Sequence, residues 1–177
     1  MAVIQIDKNS ETWVDEVDYA WVRTREWKKV KCGRYYRFHE KLKTRKKFGA
    51  SMSRLIAERI YGPIPNNVLI DHINRIPIDN RRENLRLATK SLNSRNRGPA
   101  KNKKSGLPLG IYYRKKNNKP YVVMITIDGR LIYIGDYDTL QVAIKIRQLA
   151  EKKSEQRQMA IALERVRLHQ ETLKRKE

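Results

Sequence analysis

The stretch LIDHINRIPIDNRRENLRLATKSLNSRNRG, Leu69 to Gly98, sets an Asp-His pair among repeated Asn and Arg residues. Asn is a poor core residue and only a moderate helix former, so packing accounts for little of this composition. "NVLIDHI" reads as a strand, followed by a loop holding Pro77, Asp79 and Asn80. "NLRLAT", with Leu85 and Leu87 alternating, reads as a second strand, and Thr89 is a suitable N-cap for a short helix in "KSLNSRNR". The predicted order is strand, loop, strand, helix.

The residue types in this segment fit one kind of chemistry. Hydrolysis of a phosphodiester needs a base to activate water and positive charge to offset that on the phosphate and leaving oxygen. The Asp71 carboxylate is a hard oxygen donor suited to Mg²⁺ or Mn²⁺, and an Asn carbonyl oxygen can join it. A neutral His72 imidazole is a suitable base at pH 7. Asp71 and His72 would point to opposite faces of a regular strand, so the strand must end or bend there. Asp79, Asn80 and Arg81 read as loop formers.

Composition supports a polyanionic partner. The 177 residues contain 40 Lys+Arg against 19 Asp+Glu, a formal net charge of +21. Such an excess points to nucleic acid before a membrane surface, since no apolar run approaches spanning length. No acidic residue lies between Glu83 and Asp128, a window that includes Arg95, Arg97, Lys101, Lys103, Lys104, Arg114 and Lys116. The run extends beyond the "GPAKNKKSG" linker into the patterned segments on both sides, which favours a continuous phosphate-facing surface. One cysteine, Cys32, permits no internal disulfide and no cysteine-based zinc site. The opening "MAVIQIDKNSETW" lacks a secretory pattern, and a cytoplasmic location, in a bacterial or phage-infected cell, is expected.

Outside the central stretch, "YAWVRT", "WKKVK" and "GRYYRF" read as short strands, and "SRLIAERIYG" as a helix stopped at Gly62. From Ser105, "GIYYRK", "PYVVMITI" and "RLIYIG" predict three strands, with a tight turn at Asp128-Gly129. Alternation places Ile111, Tyr113, Tyr121, Val123, Ile125, Ile132 and Ile134 on a core face, to be covered by a helix in "TLQVAIKIRQLA". Beyond Glu151, Met159, Leu163, Val166 and Leu173 form a helical stripe in a charged tail that nothing evident in the sequence closes into a core.

"IDHIN…DNRRENLR…N" resembles the HNH nuclease motif as found in phage and intron-type homing endonucleases. Eight residues separate Asn84 from Asn93, as in that family's spacing from the middle Asn to the last motif position. The resemblance implies a ββα-metal core with His72 as general base. It implies that Asn84 bridges the loop and holds the His backbone, while Asp71 and Asn93 ligate one divalent ion, Mg²⁺ or Mn²⁺. With Asn93 last, this is the H-N-N variant. "SRLIA" occupies the place of a common Met-His-Arg stretch, with Ser53 where the His stands. The segment "SGLPLGIYYRKKNNKPYVVMITIDGRLIYIGDYDT" resembles the ethylene-response-factor type of DNA-binding domain, with Tyr113 for a frequent Trp and Tyr137 for Phe. That resemblance implies a three-stranded sheet laid in the major groove.

The expected fold class is therefore α+β: a β-rich segment, the ββα-metal core, then a three-stranded antiparallel sheet plus helix. The expected parts are a nuclease domain over 1–98, a basic linker over 99–104, a sheet domain over 105–153 and a helical tail over 154–177. Metal-dependent cleavage of duplex DNA is the implied activity, catalysed by His72 with Asn84. DNA contacts are expected from Arg81, Arg82, Arg95, Arg97, Lys101, Lys103, Lys104, Tyr112, Arg114, Lys116 and Tyr133. No membrane and no small-molecule cofactor are expected, and a monomer is favoured. The alternative is a non-catalytic, sequence-specific DNA-binding regulator on a degenerate nuclease fold.

Overall fold

The computed structural model describes residues 1–32, 35–41, 48–96, 106–115 and 118–176. The fold is mixed α+β, with small antiparallel sheets and a long C-terminal helix. It divides into two compact units, one of residues 1–89 with 162–177, the other of residues 90–161. Among the described residues no helix is long and apolar enough to cross a membrane.

The first unit begins with an antiparallel hairpin, β1 (Ala2–Asp7) and β2 (Ser10–Val14), followed by helix α1 (Glu16–Arg23). Strands β3 (Trp27–Cys32), β4 (Tyr35–Lys41) and β5 (Phe48–Ser51) form an antiparallel sheet in that order. Helix α2 (Met52–Tyr61) is N-capped by Ser51, whose hydroxyl accepts from Arg54 N at 3.3 Å. It stops at Gly62, whose φ of +74° suits a residue without a Cβ. Then come β6 (Leu69–His72), a 3₁₀ turn over Arg82–Asn84, and β7 (Leu85–Ala88).

One expectation fails here: "YAWVRT" lies mainly in α1, not in a strand. Val22 is fully buried one turn after the buried Asp18, a helical spacing that overrides the β-branched and aromatic composition. Glu16 and Asp18 in the first turn and Arg23 in the last also favour a helix through its dipole. Asp18 in turn accepts from Arg82 (2.6 and 2.8 Å) and from Arg59 (2.8 Å). That buried carboxylate ties α1 to α2 and to the 3₁₀ turn beside β7. Ile4, Val14, Val22, Phe38, Met52, Ile56 and Leu85 form the main core.

The second unit holds helix α3 (Lys90–Arg95), strands β8 (Ile111–Tyr113), β9 (Tyr121–Ile127) and β10 (Arg130–Tyr137), and the first part of helix α4 (Leu140–Lys174). The sheet is antiparallel with β9 central. Asp128 (φ +50°) and Gly129 (φ +78°) both adopt positive φ at the β9–β10 turn, which is why Asp-Gly marks it. Ile111 and Val123 pack against Ala143 of α4. The predicted core face is corrected in part. The register slips between Tyr133 and Gly135, Ile134 remains partly buried, and Ile132 and Tyr113 are exposed.

The tail is also corrected. Residues 140–174 are one helix, and from Ala162 onward it belongs to the first unit. There Ala162 and Val166 pack with Ala57, Ile64, Val68 and Leu87, while Leu163 and Leu173 of the predicted stripe stay exposed. The tail was expected to find no core, yet Ala162, one turn before Val166, closes against one.

Candidate active site

The β6–β7 hairpin pairs Asp71 with Arg86 and His72 with Leu85. Asp71 and Arg86 are both buried, and Oδ2 of Asp71 accepts from Arg86 Nε (2.9 Å) and Nη2 (2.7 Å). A buried carboxylate needs such a partner. Strand β6 ends at His72, where Arg75 N donates back to His72 O at 3.0 Å and Arg75 takes a φ of +66°. Both side chains of the Asp-His pair are buried at this strand end.

His72 is buried, with Nε2 3.2 Å from Asn80 Oδ1. The orientation of the Asn80 amide follows from its other contacts. Thr12 Oγ1 donates to Ile78 O at 2.8 Å and so accepts from Asn80 Nδ2 at 2.9 Å, which turns Oδ1 toward the imidazole. Nε2 therefore carries the proton, and Nδ1 is the basic nitrogen. Burial is the largest influence on the ring's acidity and pushes its pKa down. The Asn80 bond and the charges of Asp71 and Asp79 act upward and Arg37 downward, and the net shift is below the ordinary histidine value. The neutral form prevails at pH 7.

Asn84 spans the loop between the two strands. Its Nδ2 donates to Asp79 O at 2.7 Å, and its Oδ1 accepts from Asn74 N at 2.9 Å. Its backbone oxygen accepts from Ile73 N at 2.9 Å, next to His72. Asp79 is fully buried and accepts from Arg81 Nε and Nη2 (both 2.8 Å) and Asn74 Nδ2 (2.7 Å). These bonds, Arg81's first, hold the Asp79 carboxyl below its ordinary range. The dense amides of this segment thus bond the loop's own backbone and side chains.

Arg81 also pairs with Glu83 (2.7 Å), and Arg82 with Asp18, so both guanidinium groups have carboxylate partners inside the chain. Asn93 lies on α3 in the second unit, where Arg95 Nη1 donates to Ser154 Oγ at 2.7 Å. Tyr112, Arg114 and Tyr133 are exposed. Arg97, Lys101, Lys103, Lys104 and Lys116 lie outside the described residues, as does the linker over 99–104. Sequence reasoning missed Asn80 and Thr12 as supports of His72. The surplus of Asn was a signal for the first, and nothing local marked the second.

Among the described residues no group of three or more His, Cys, Asp or Glu side chains is arranged to hold a metal ion. The donor chemistry nonetheless fits a hard divalent cation. Mg²⁺ keeps several waters and is commonly bound through one or two carboxylates together with substrate phosphate oxygens. A carboxylate offers about four acceptor positions, so the two bonds from Arg86 do not by themselves exclude a cation at Asp71.

Residues 51–95 match the family model described as HNH endonuclease, a span that includes α2, β6, β7 and α3. No curated protein and no solved structure matches the chain. That segment is similar to HNH endonuclease domains.

Proposed function

We propose that this protein is a metal-dependent DNA endonuclease of the homing type, hydrolysing phosphodiester bonds in duplex DNA. One observation carries the reading: a buried histidine, held through Nε2 by Asn80, sits in the hairpin of an HNH segment together with Asp71 and Asn84. His72 Nδ1 takes a proton from water, and the water attacks the scissile phosphate in line. Asn84 acts by fastening the loop, not by touching substrate. Asp71, with Asn93 assigned by the motif as second oxygen donor, is the site for one Mg²⁺ or Mn²⁺, whose charge would offset that on the phosphate and the departing 3′ oxygen. The products are a 5′-phosphate and a 3′-hydroxyl.

The sheet of β8, β9 and β10 is proposed as the tether to duplex, through Tyr112, Arg114 and Tyr133, with the lysines near residue 100 on the phosphates. It resembles ethylene-response-factor domains in sequence, and those three side chains are exposed. A second reading, a DNA-binding regulator without catalysis, is favoured by the Asp71–Arg86 ion pair, since a guanidinium already neutralises the Asp71 carboxylate. Incubation of supercoiled plasmid with Mg²⁺ or Mn²⁺, and with excess EDTA, separates the two. Metal-dependent nicking or linearisation supports the endonuclease; tight binding with intact plasmid under all conditions supports the regulator.

A further inference from the structure

We propose that the groove between the β3–β4 sheet and the loop at residues 75–78 seats one nucleotide turned out of the DNA duplex, its base against Tyr36 and its phosphate at Lys29 and Arg75. The ligand class rests on the DNA-cleaving reading; the site itself rests on the groove.

The groove encloses about 400 Å³, within the range of ligand sites. Phe38, buried, forms part of its floor, and Tyr35, Tyr36 and Ile76 line it while remaining 56%, 45% and 40% exposed. Singly exposed apolar side chains need no explanation, but three around one cleft do. Strand register gives the arrangement. Lys29 pairs with Phe38 and Lys31 with Tyr36, so Lys29, Phe38 and Tyr36 share one face of the hairpin.

Cations complete the lining. The Lys29 ammonium lies 4.5 Å over the Tyr36 ring and donates to Ser10 Oγ at 2.7 Å. An ammonium has three donors, and Ser10 uses one. Arg75 is exposed on the opposite wall. The one acidic lining residue, Glu11, accepts from Trp13 Nε1 at 3.2 Å. An aromatic platform flanked by positive charge is the arrangement that holds a base and its phosphate without reading sequence.

The wall is also hydrogen-bonded in place and close to His72. Ile78 O accepts from Trp13 N (2.9 Å) and Thr12 Oγ1 (2.8 Å), and Ile76 N donates to Asn74 Oδ1 (2.8 Å). Ile78 lines the groove, and two residues on, Asn80 holds His72. Two extended residues span at most about 7 Å. A strand engaged at His72 therefore meets the groove within a few nucleotides.

The test uses the full-length protein. Duplex carrying 5-iododeoxyuridine is photo-cross-linked to the wild type, and the attachment sites are mapped by mass spectrometry. Affinity is measured in parallel for Tyr36→Ala, Tyr36→Phe and Lys29→Gln, each first checked for a wild-type unfolding midpoint. Cross-links are expected at Tyr36 or Tyr35. Tyr36→Ala should weaken binding by about 5- to 150-fold, as for loss of a stacked base, with Tyr36→Phe near wild type. Lys29→Gln should lower the log–log salt slope by about 0.9. Wild-type affinity in Tyr36→Ala, or cross-links confined to other residues, overturns the proposal. So does a variant that turns a dimer into a monomer with DNA affinity unchanged, which would assign the groove to a second copy of the chain. A wild type that binds and cross-links here but never cuts DNA sinks the endonuclease reading alone.

Discussion

Asn80 accepts from His72 Nε2 at 3.2 Å through one end of its amide and donates to Thr12 at 2.9 Å through the other. The N-terminal hairpin thereby sets the tautomer of a histidine at the end of β6. Removing the amide leaves the imidazole free to turn or to place its proton on the wrong nitrogen. Asn80→Ala is expected to slow DNA cleavage by roughly 10²- to 10³-fold, within the range of general-base catalysis. It should also cost about 1–3 kcal/mol of stability from groups left unbonded. Single-turnover rates on the folded variant check this, and a wild-type rate would remove Asn80 from the account.

The pH dependence follows from the same environment. Burial, the largest influence, holds the His72 pKa below 6.5. The cleavage rate should rise with pH and level off with a midpoint below that value, because only the neutral ring accepts a proton from water. A pH–rate profile at saturating DNA and metal measures it. A midpoint well above 7 would contradict the burial argument.

Asp18 predicts a second pH effect, on stability. Burial works against its charge, but bonds from Arg82 and Arg59 outweigh it and hold the carboxyl below its ordinary range. A lowered folded-state pKa means the contribution is present above the ordinary value near 3.8 and is lost as pH falls through the folded one. Asp18→Asn should cost roughly 1–3 kcal/mol at pH 7, less than a fully buried pair because both arginines are a third exposed. The deficit relative to wild type should shrink as pH falls below about 3.8, which urea titrations at several pH values would reveal; a deficit independent of pH would refute it.

Asp71 pairs with Arg86 and is the ligand proposed for the cation. Asp71→Ala should abolish cleavage at low metal and recover in part with raised Mn²⁺, since a lone amide oxygen is a weak ligand. The variant also leaves Arg86 buried without its carboxylate, so circular dichroism must confirm folding first. Full activity of a folded Asp71→Ala at micromolar Mg²⁺ would exclude it as a ligand.

Some of this was legible in the chain because the signals are local. Alternating Leu85 and Leu87 marked β7, and Asp128-Gly129 marked a turn that needs two positive φ values. The Thr12–Asn80 bond joins residues 68 apart, and no spacing rule reaches that far. Nor could α1 be read from its aromatic residues, since a strand and a helix compete on similar composition until Val22 and Asp18 meet the core and two arginines. The tail was misread for a related reason. Ala162 is too small to register in a stripe of larger residues, yet it is fully buried. The bulge in β10 likewise shifts an alternation that the sequence presents as unbroken.

The central claim is that His72 supplies the base. The most direct measurement compares wild type and His72→Ala in Mg²⁺, by single-turnover cleavage of duplex and by binding to the same duplex in EDTA. The account predicts cleavage reduced by about 10²- to 10⁴-fold with affinity nearly unchanged, because a neutral imidazole contributes little to phosphate binding. A His72→Ala protein that is folded, binds DNA and cuts at the wild-type rate would contradict it.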